Sequence, residues 1–289
     1  ARLAAEQGHV LAQYSLGRAY DAGQGLPQDD EEAAKWYRLA ADQGLAPAQH
    51  GLGFLYYFGR GVPKDDVQAV MWTRLAQDQG YVISAQSNLG RMYRNGQGVS
   101  QDYEEAVKWY RLAADQGLAP AQHGLGVMYH FGRGVPQDDA EAVRWTRLAA
   151  DQGYVSAQYN LGVMYVAGRA VPEDFAEGAR WFRLAADQGH IASQSRLGGL
   201  YLVGMGVLQD YEEAHRWTRL AADQGDASAQ FNLGTMYDQA EVVPQDDVEA
   251  HKWLNLAASR TTVAAQKQYV GMWDGLAARM TPAQLTEAQ

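Results

Sequence analysis

The stretch DQGLAPAQHGLGVMYHFGRGVPQDDAEAVRWTRLAA, residues 115–150, decides the fold because the rest of the chain repeats variations of it. Its turn glycine recurs every 36 residues on either side of a single 37-residue step, in which Ile83 is inserted into a turn. A tryptophan stands at the same place in seven copies: Trp36, Trp72, Trp109, Trp145, Trp181, Trp217 and Trp253. This period predicts an array of helical repeats that grows by stacking, so the 289 residues need no second hydrophobic core.

Composition narrows the class of protein. The hydrophobic content of 47% is enough for a packed interior, and no apolar run approaches the ~18 residues that a membrane span needs. The absence of cysteine excludes a disulfide framework and thiolate metal sites, but it fits a cytoplasmic, a periplasmic and a secreted location equally, so the compartment stays open. The formal net charge of -10 argues against a nucleic-acid backbone as the main ligand.

The first helix of each repeat has a fixed pattern. In the second copy it is expected from about residue 48 to residue 58. The fixed residues of the fourth copy are Ala121, Gln122, Leu125, Gly126 and Tyr129. The spacing places Ala121, Leu125 and Met128 on one face. Glycine inside a helix costs about 1 kcal/mol relative to alanine, so its recurrence at the Gly126 position predicts a neighbouring helix too close for a side chain.

The second helix of each repeat has a clear start signal. An aspartate is followed three residues later by glutamate or glutamine, as in Asp138 and Glu141, which predicts a capping box in every copy. Helix capping explains these acids better than acid–base chemistry or calcium binding, because no calcium-loop spacing is present. The Gly-x-Gly connector that precedes the aspartate is likewise no phosphate loop, since neither a strand nor a Walker lysine flanks it.

The two faces of the second helix differ. The predicted core of the fourth copy consists of Ala142, Trp145, Leu148 and Ala149. Tryptophans in every copy could form a sugar-stacking ladder, but their recurrence favours rings wedged between helices. The opposite face carries paired cations, each pair preceded by a glutamate, which predicts a solvated, salt-bridged outer face: Lys35 with Arg38, Lys108 with Arg111, Arg144 with Arg147, Arg180 with Arg183, and Arg216 with Arg219.

The pattern Ala-Gln-x-x-Leu-Gly-x-x-Tyr-x-x-Gly-x-Gly-Val-x-x-Asp-x-x-x-Ala-x-x-Trp, as in residues 121–145, resembles the Sel1-like repeat family, a relative of the tetratricopeptide repeats. The resemblance implies an all-α, right-handed solenoid of about seven helix-turn-helix repeats over residues 1–260, with divergent capping helices over residues 261–289. It also implies a concave groove lined by the first helices. The implied function is a non-catalytic adaptor without a cofactor, usually bacterial, in signalling, envelope or virulence complexes.

Several positions depart from the pattern. Repeat five has Ala170 for the second loop glycine and Gly178 for a helix alanine, and repeat seven has Ala240 and Val242 for both loop glycines. After Trp253 the pattern decays, which predicts a closing helix over about residues 262–279 and a short helix from Thr281-Pro282. The opening residues, ARLAAEQ, match the end of a second helix, so we expect the chain to begin inside a repeat, without its native N-terminus or any signal peptide.

Function should lie where the repeats differ. Three positions of each first helix, at i, i+4 and i+7, vary freely and share one face. We call this set the first-helix column, and it reads Tyr14/Arg18/Asp21, His50/Phe54/Tyr57, Ser87/Arg91/Arg94, His123/Val127/His130, Tyr159/Val163/Val166, Ser195/Gly199/Leu202 and Phe231/Thr235/Asp238. The first five sets, without Ser87, are the predicted partner-binding residues. Their aromatic, basic and apolar side chains suit a partner protein or peptide with an acidic group between hydrophobic anchors.

Three other functions remain open. Tyr14, Tyr57 and Tyr159, with the neighbouring arginines, could bind a glycan or an envelope polymer. A structural rod could form by end-to-end self-association. An enzyme would need a nucleophile beside an orienting base, which the pattern does not offer. His123 and His130 lie about 10 Å apart along one helix, too far to share a metal without other ligands, so no metal site is predicted.

Overall fold

The computed structural model describes residues 2–79, 83–239, 244–259 and 275–288. Within those ranges the regular structure is entirely helical, and none of the helices is long and apolar enough to cross a membrane. The helices are α1 (Arg2–Glu6), α2 (Val10–Ala22), α3 (Asp30–Asp42), α4 (Ala46–Phe58), α5 (Asp66–Asp78), α6 (Ile83–Asn95), α7 (Tyr103–Asp115), α8 (Ala119–Phe131), α9 (Asp139–Asp151), α10 (Val155–Ala167), α11 (Phe175–Asp187), α12 (Ile191–Val203), α13 (Tyr211–Asp223), α14 (Ala227–Gln239), α15 (Asp247–Ser259) and α16 (Pro282–Glu287).

The chain divides into two compact units, Ala1–Ala149 and Ala150–Gln289, called unit 1 and unit 2 below. In unit 1 each first helix packs on the second helix of its own repeat, as α4 does on α5, and each second helix packs on the next first helix, as α3 does on α4. The same alternation holds in unit 2 from α10 to α15. The predicted α-solenoid of repeated helix pairs is therefore confirmed.

The second helices begin at the predicted aspartates, but the capping boxes are only half present. The Asp29 carboxylate accepts hydrogen bonds from the backbone N–H of Glu31 and Glu32. Glu32, which was expected to reach back to the cap, instead accepts the indole N–H of Trp36 at 2.9 Å. The buried indole needs an acceptor, and the glutamate four residues earlier supplies it. A complete box is formed by Thr281 and Gln284 at the predicted start of α16.

The buried faces follow the helical period, with one correction. Ala121, Leu125 and Met128 are fully buried, as predicted. On α9, Trp145 is buried but Leu148 is 40% exposed, so its assignment to the core was wrong. The packing face runs through Ala142, Trp145, Thr146 and Ala149, which leaves Leu148 at its edge. The equivalent leucines are exposed to a similar degree: Leu39, Leu75, Leu112, Leu184 and Leu220.

Close helix approach explains the mid-helix glycines. A Cβ atom on Gly126 would lie 2.6 Å from Thr146 Oγ1 and 3.1 Å from the Ala142 carbonyl oxygen. The replacement of the helix alanine by Gly178 is explained by a local contact, because a Cβ atom there would lie 2.6 Å from Val166 Cγ2. Ala170 keeps the left-handed conformation of the glycine it replaces, with φ of 66°. Such a conformation costs a non-glycine residue about 1–2 kcal/mol.

Some predictions concern the end of the array. The connector containing Ala240 and Val242 lies outside the described residues, as does most of the closing helix predicted over residues 262–279. The boundary between the array and the capping helices at residues 260 and 261 therefore stays a prediction. Leu276 and Met280 pack with Ala250 and Leu254 of α15, so the described C-terminal residues extend the core of unit 2.

Candidate partner-binding surface

The fixed Ala-Gln pair locks each first helix to the neighbouring repeats. Gln49, at the start of α4, donates to the carbonyl oxygen of Ala41 at the end of α3, at 3.2 Å. Its own amide oxygen accepts a hydrogen bond from Gln79 at 2.9 Å. The glutamine thus adds a side-chain hydrogen bond to a helix-end carbonyl that also accepts the Gly44 N–H at 2.9 Å. Because both bonds come from repeated residues, they fix the backbone that carries the first-helix column.

The outer face of the second helices has two kinds of cation. The first cation of each predicted pair bonds the preceding glutamate, as Lys35 does with Glu32 at 3.0 Å and Arg216 with Glu213 at 2.9 Å. These side chains are largely exposed, which confirms the salt-bridged outer face. The arginine at the second cation position of several repeats instead donates a hydrogen bond to the framework tyrosine of the next repeat. The pairs are Arg38 to Tyr56, Arg74 to Tyr93, Arg111 to Tyr129, and Arg183 to Tyr201.

All the predicted site residues reach the surface, to different extents. Arg18 and Phe54 are exposed, and the remaining predicted residues of the first-helix column are partly buried. In unit 1 the column residues of successive repeats lie side by side. The Arg91 guanidinium of α6 lies over the Tyr57 ring of α4, and α6 contacts α8 directly. The column of unit 1 is therefore one continuous surface.

An aromatic–cation cluster occupies the middle of that surface. The Arg91 guanidinium lies 4.5 Å from the ring centroid of Tyr57 and 5.9 Å from that of Phe58. Phe58 in turn packs against Phe54, with centroids 4.5 Å apart. We call Phe54, Tyr57, Phe58 and Arg91 the aromatic–cation cluster. A guanidinium over aromatic faces is held in place without losing its charge.

Arg94, one helical turn after Arg91 on α6, adds a second cation to this region. Among the described carboxylates, none lies within ion-pair distance of Arg91 or Arg94. Burial, with a smaller contribution from the charge of Arg94, lowers the pKa of His123 to about 4. His123 is therefore neutral at pH 7, and the positive charge of this region comes from the two arginines.

Asp21 has a structural role at the N-terminal end of the column. Its carboxylate accepts the Tyr37 hydroxyl at 3.1 Å and an Arg60 N–H at 3.0 Å. Arg60 also hydrogen-bonds Asp30 and holds the pKa of that carboxyl below its usual range. Burial, with the nearby Asp21 charge, raises the pKa of Tyr37. Because its charge is already compensated, Asp21 contributes less to binding than its position in the column suggests.

The same end of the surface contains a small cavity of about 250 Å³. Column residues that line it are Tyr14, Arg18, Asp21, His50 and Phe54. The cavity lies beside the aromatic–cation cluster, because Phe54 belongs to both. The surface of unit 1 thus offers a recess next to an exposed aromatic patch.

Val127 and His130 of α8 lie away from this recess. Val127, predicted as an apolar partner-binding residue, is partly buried, and its chain neighbour Met128 is fully buried in the core. The structure places Val127 neither in the lining of the cavity nor in the aromatic–cation cluster, so its binding role stays a prediction that rests on its column position. His130 Nδ1 lies 3.8 Å from an Asp139 carboxylate oxygen, beyond hydrogen-bonding distance.

The predicted residues of α10 belong to unit 2. Tyr159, Val163 and Val166 pack against the core around Phe182. All three side chains are partly buried as a result. Packing therefore makes part of each side chain inaccessible to a partner.

Sequence reasoning missed several surface residues. Phe58, Asn88 and Gln97 complete the surface of unit 1, where Tyr57 donates its hydroxyl to Gln97 at 2.8 Å. In unit 2, Arg196 and Asn232 line a cavity of about 530 Å³ beside the column. Phe58, Asn88, Arg196 and Asn232 directly follow column positions, and these positions also vary between repeats. The variability of these positions is the sequence signal that could have identified them as surface residues.

The fold and its repeated contacts define the class of protein as an all-helical repeat protein with a variable first-helix surface. The family model "Sel1 repeat" matches residues 10–45, 46–81, 83–118, 119–154, 155–190, 191–226 and 227–261, which is most of the chain. The chain belongs to the Sel1 repeat family. Proteins of this family are generally protein-interaction scaffolds, and their fold is typically non-catalytic.

Solved structures agree with this assignment. A Sel1 repeat protein from Oxalobacter formigenes is 38% identical with a TM-score of 0.74, over 94% of this chain and 78% of that chain. A protective antigen of uropathogenic Escherichia coli with an SLR fold is 28% identical with a TM-score of 0.56, over 99% of this chain and 84% of the other. An immunity protein from Pseudomonas aeruginosa shares the fold at 21% identity and a TM-score of 0.51, over 76% and 82% of the two chains. No curated protein matches the chain.

Proposed function

We propose that the chain is a scaffold that binds a partner protein along the first-helix column of unit 1. The observation that carries the proposal is the aromatic–cation cluster, in which accessible rings adjoin a guanidinium without an ion pair among the described residues. Aromatic and arginine side chains dominate the energetics of protein interfaces. Placing them at positions that the repeats do not fix is what a binding surface requires.

The chemistry of the surface favours an acidic partner with apolar anchors. Arg91 and Arg94 supply positive charge, while Phe54 and the neighbouring cavity accept apolar side chains. The chain as a whole carries a net charge of -10, so a local basic region stands out against an acidic background. Complementary charge of this kind mainly sets specificity and the rate of association. We infer a peptide or helix that presents carboxylates between hydrophobic residues.

The glycan alternative has weaker support. It depends on Tyr14, Tyr57 and Tyr159, but the Tyr57 ring is covered by Arg91 at 4.5 Å. Tyr159 packs against Phe182, with ring centroids 5.8 Å apart. Rings covered in this way offer little free face for a sugar to stack on.

The test compares a column variant with a matched outer-face variant of unit 1. The column variant is Phe54→Ala with Arg91→Ala, and the control is Leu112→Ala with Lys108→Ala, which also removes one exposed apolar side chain and one cation. Proteins captured from an extract of the source organism by wild type are identified, produced recombinantly and titrated against all three chains.

We expect the column variant to raise the dissociation constant at least about tenfold, equivalent to about 1.4 kcal/mol, with the control within about twofold of wild type. Unfolding midpoints establish that both variants fold. Equal losses in the two variants would exclude the column as the binding surface. Retention of a polysaccharide in place of any protein would favour the glycan alternative.

A further inference from the structure

Repeat six departs from its sister repeats at the surface of unit 2. The middle position of the first-helix column carries a side chain in every other repeat, but in α12 it is Gly199. The residue that follows the first column position is small or amide-bearing elsewhere, but in α12 it is Arg196. In the connector, Met205 and Leu208 stand where most sisters have a polar residue and a proline. The changes at Gly199, Arg196 and Met205 remove bulk, add a cation and add apolar surface in the lining of one cavity.

The missing side chain of Gly199 coincides with a cavity of about 530 Å³. A Cβ atom placed on Gly199 would meet no atom within 4 Å, so the space above this glycine is open. The apolar lining includes Val166, Phe182, Leu200 and Met205. A volume of this size lies within the roughly 300–1,000 Å³ typical of ligand pockets, so a bulky apolar side chain fits.

Two charged side chains, Arg196 and Asp226, line the cavity. Arg196 lines the cavity and is exposed, and no described carboxylate lies within ion-pair distance of it. Asp226 also lines the cavity, but its carboxylate caps α14 at the Ala229 N–H, at 2.7 Å, and accepts the Ser195 hydroxyl at 3.1 Å. The positive charge of Arg196 is therefore available to a ligand.

An apolar shelf forms part of the cavity edge. Val203 and Met205, which both line the cavity, are 58% and 41% exposed. A second cavity of about 320 Å³ shares Val203 with the first and is lined in part by Tyr211 and Phe231. Exposed apolar groups gathered beside a pocket are characteristic of interaction sites.

We propose that unit 2 binds a peptide segment of a partner protein by taking a bulky apolar side chain into the Gly199 cavity and a nearby carboxylate onto Arg196. The apolar lining selects the side chain, and the uncompensated guanidinium selects the acidic neighbour. The proposal rests on the proposed scaffold function and adds a second binding surface, with its own specificity, to that of unit 1. The shelf formed by Val203 and Met205 supports the peptide beside the inserted residue.

The test uses the full chain and a defined set of fluorescent peptides. Each peptide carries a central phenylalanine, leucine or tryptophan with glutamates at varied spacing, and matched peptides replace the central residue by alanine or the glutamates by lysine. Binding is measured by fluorescence anisotropy with wild type, Gly199→Leu, Gly199→Ala, Arg196→Gln and the Phe54→Ala, Arg91→Ala variant, the last with and without Gly199→Leu. Gly199→Ala controls for the loss of glycine from the helix, because it fills little of the cavity.

We expect one or more acidic aromatic or leucine peptides to bind wild type and Gly199→Ala alike. Gly199→Leu should weaken binding about tenfold or more, and Arg196→Gln about threefold at low salt and less at high salt, because salt screens the exposed charge. The alanine and lysine peptides should bind more weakly than their parents. Added to the Phe54→Ala, Arg91→Ala variant, Gly199→Leu should weaken the remaining binding by a similar factor, because the cavity is lined by residues of unit 2.

Other outcomes separate the two proposals. If Gly199→Leu binds as wild type while the unit 1 variant loses the peptides, the cavity proposal is wrong and the scaffold proposal stands. If no peptide binds, or if alanine and lysine peptides bind equally well, the cavity does not recognise an acidic apolar segment. If naphthoate, a small aromatic carboxylate, saturates the cavity and no peptide does, the cavity is a small-molecule site. The capture experiment on unit 1 decides the scaffold function separately in each case.

Discussion

Helices α4 and α12 share one framework and differ at the surface that the framework presents. Gln49 of α4 and Gln194 of α12 each donate to the end of the preceding second helix at 3.2 Å. Each also accepts a hydrogen bond from the glutamine that caps the end of the next helix. Leu52 and Leu197 are both fully buried. At the middle column position, however, α4 has the exposed Phe54 where α12 has no side chain.

The contrast separates two kinds of position. Framework residues contact the neighbouring repeats through the same atoms each time, so a change there should alter stability. Column residues make different contacts in each repeat and are not needed for the interfaces between repeats, so a change there should alter binding. A repeat array stabilised by nearest-neighbour contacts permits this division, because a surface can change without altering the interfaces.

The tryptophans give the largest expected effect within the framework. Trp217 is 2% exposed, packs with Phe182 and Leu197, and donates to Glu213 at 2.8 Å, whereas Trp72 is only partly buried. Trp217→Ala should lower the free energy of unfolding by about 3–5 kcal/mol. Trp72→Ala should cost clearly less, on the order of 1–3 kcal/mol. Guanidinium unfolding followed by circular dichroism measures both, and a loss below about 1 kcal/mol for Trp217 would refute its framework role.

Two adjacent glycines of α12 test the division directly. A Cβ atom on Gly198 would lie 3.1 Å from the Thr218 backbone nitrogen, whereas one on Gly199 would meet nothing within 4 Å. Gly198→Ala should therefore destabilise the chain by about 1–3 kcal/mol through overpacking. Gly199→Ala should stabilise it by up to about 1 kcal/mol, because alanine favours the helix. Thermal unfolding measures the change in stability of both variants. Changes of the same sign would contradict the division between framework and column positions.

Much of the fold could be predicted because each sequence signal recurs in several repeats, so that an ambiguous signal in one copy is resolved by the others. The period, the glycine at the Gly126 position and the aspartate caps each recur, so each supports one helix-pair assignment. The errors came from side chains whose partner lies outside the pattern. Leu148 obeys the helical period but falls at the edge of the packing face, and Glu32 bonds an indole where a cap N–H was expected.

The surface was less predictable, because variability marks a position without giving its contacts. The column positions do form a continuous surface in unit 1, but nothing in the sequence showed that Asp21 pairs with Arg60. Nor did it show that Phe54 would line a cavity while Val127, at the same position of α8, would not. In unit 2 the packing of Val166 against the core was equally hidden. The Gly199 cavity arises from a missing side chain, which residue-type reasoning overlooks.

The smallest expected effect compares the histidine of α8 with its counterpart in α12. Burial and the charge of Arg94 lower the pKa of His123 to about 4, whereas the same position of α12 is Ser195. Below about pH 6.5 the unfolded chain takes up a proton that the folded chain refuses, so stability falls from that pH down to about 4. We expect His123→Ser to reduce the stability lost between pH 7 and pH 4.5 by on the order of 1 kcal/mol. Urea unfolding at both pH values measures this difference, and an identical loss in wild type and variant would mean that His123 titrates normally in the folded chain.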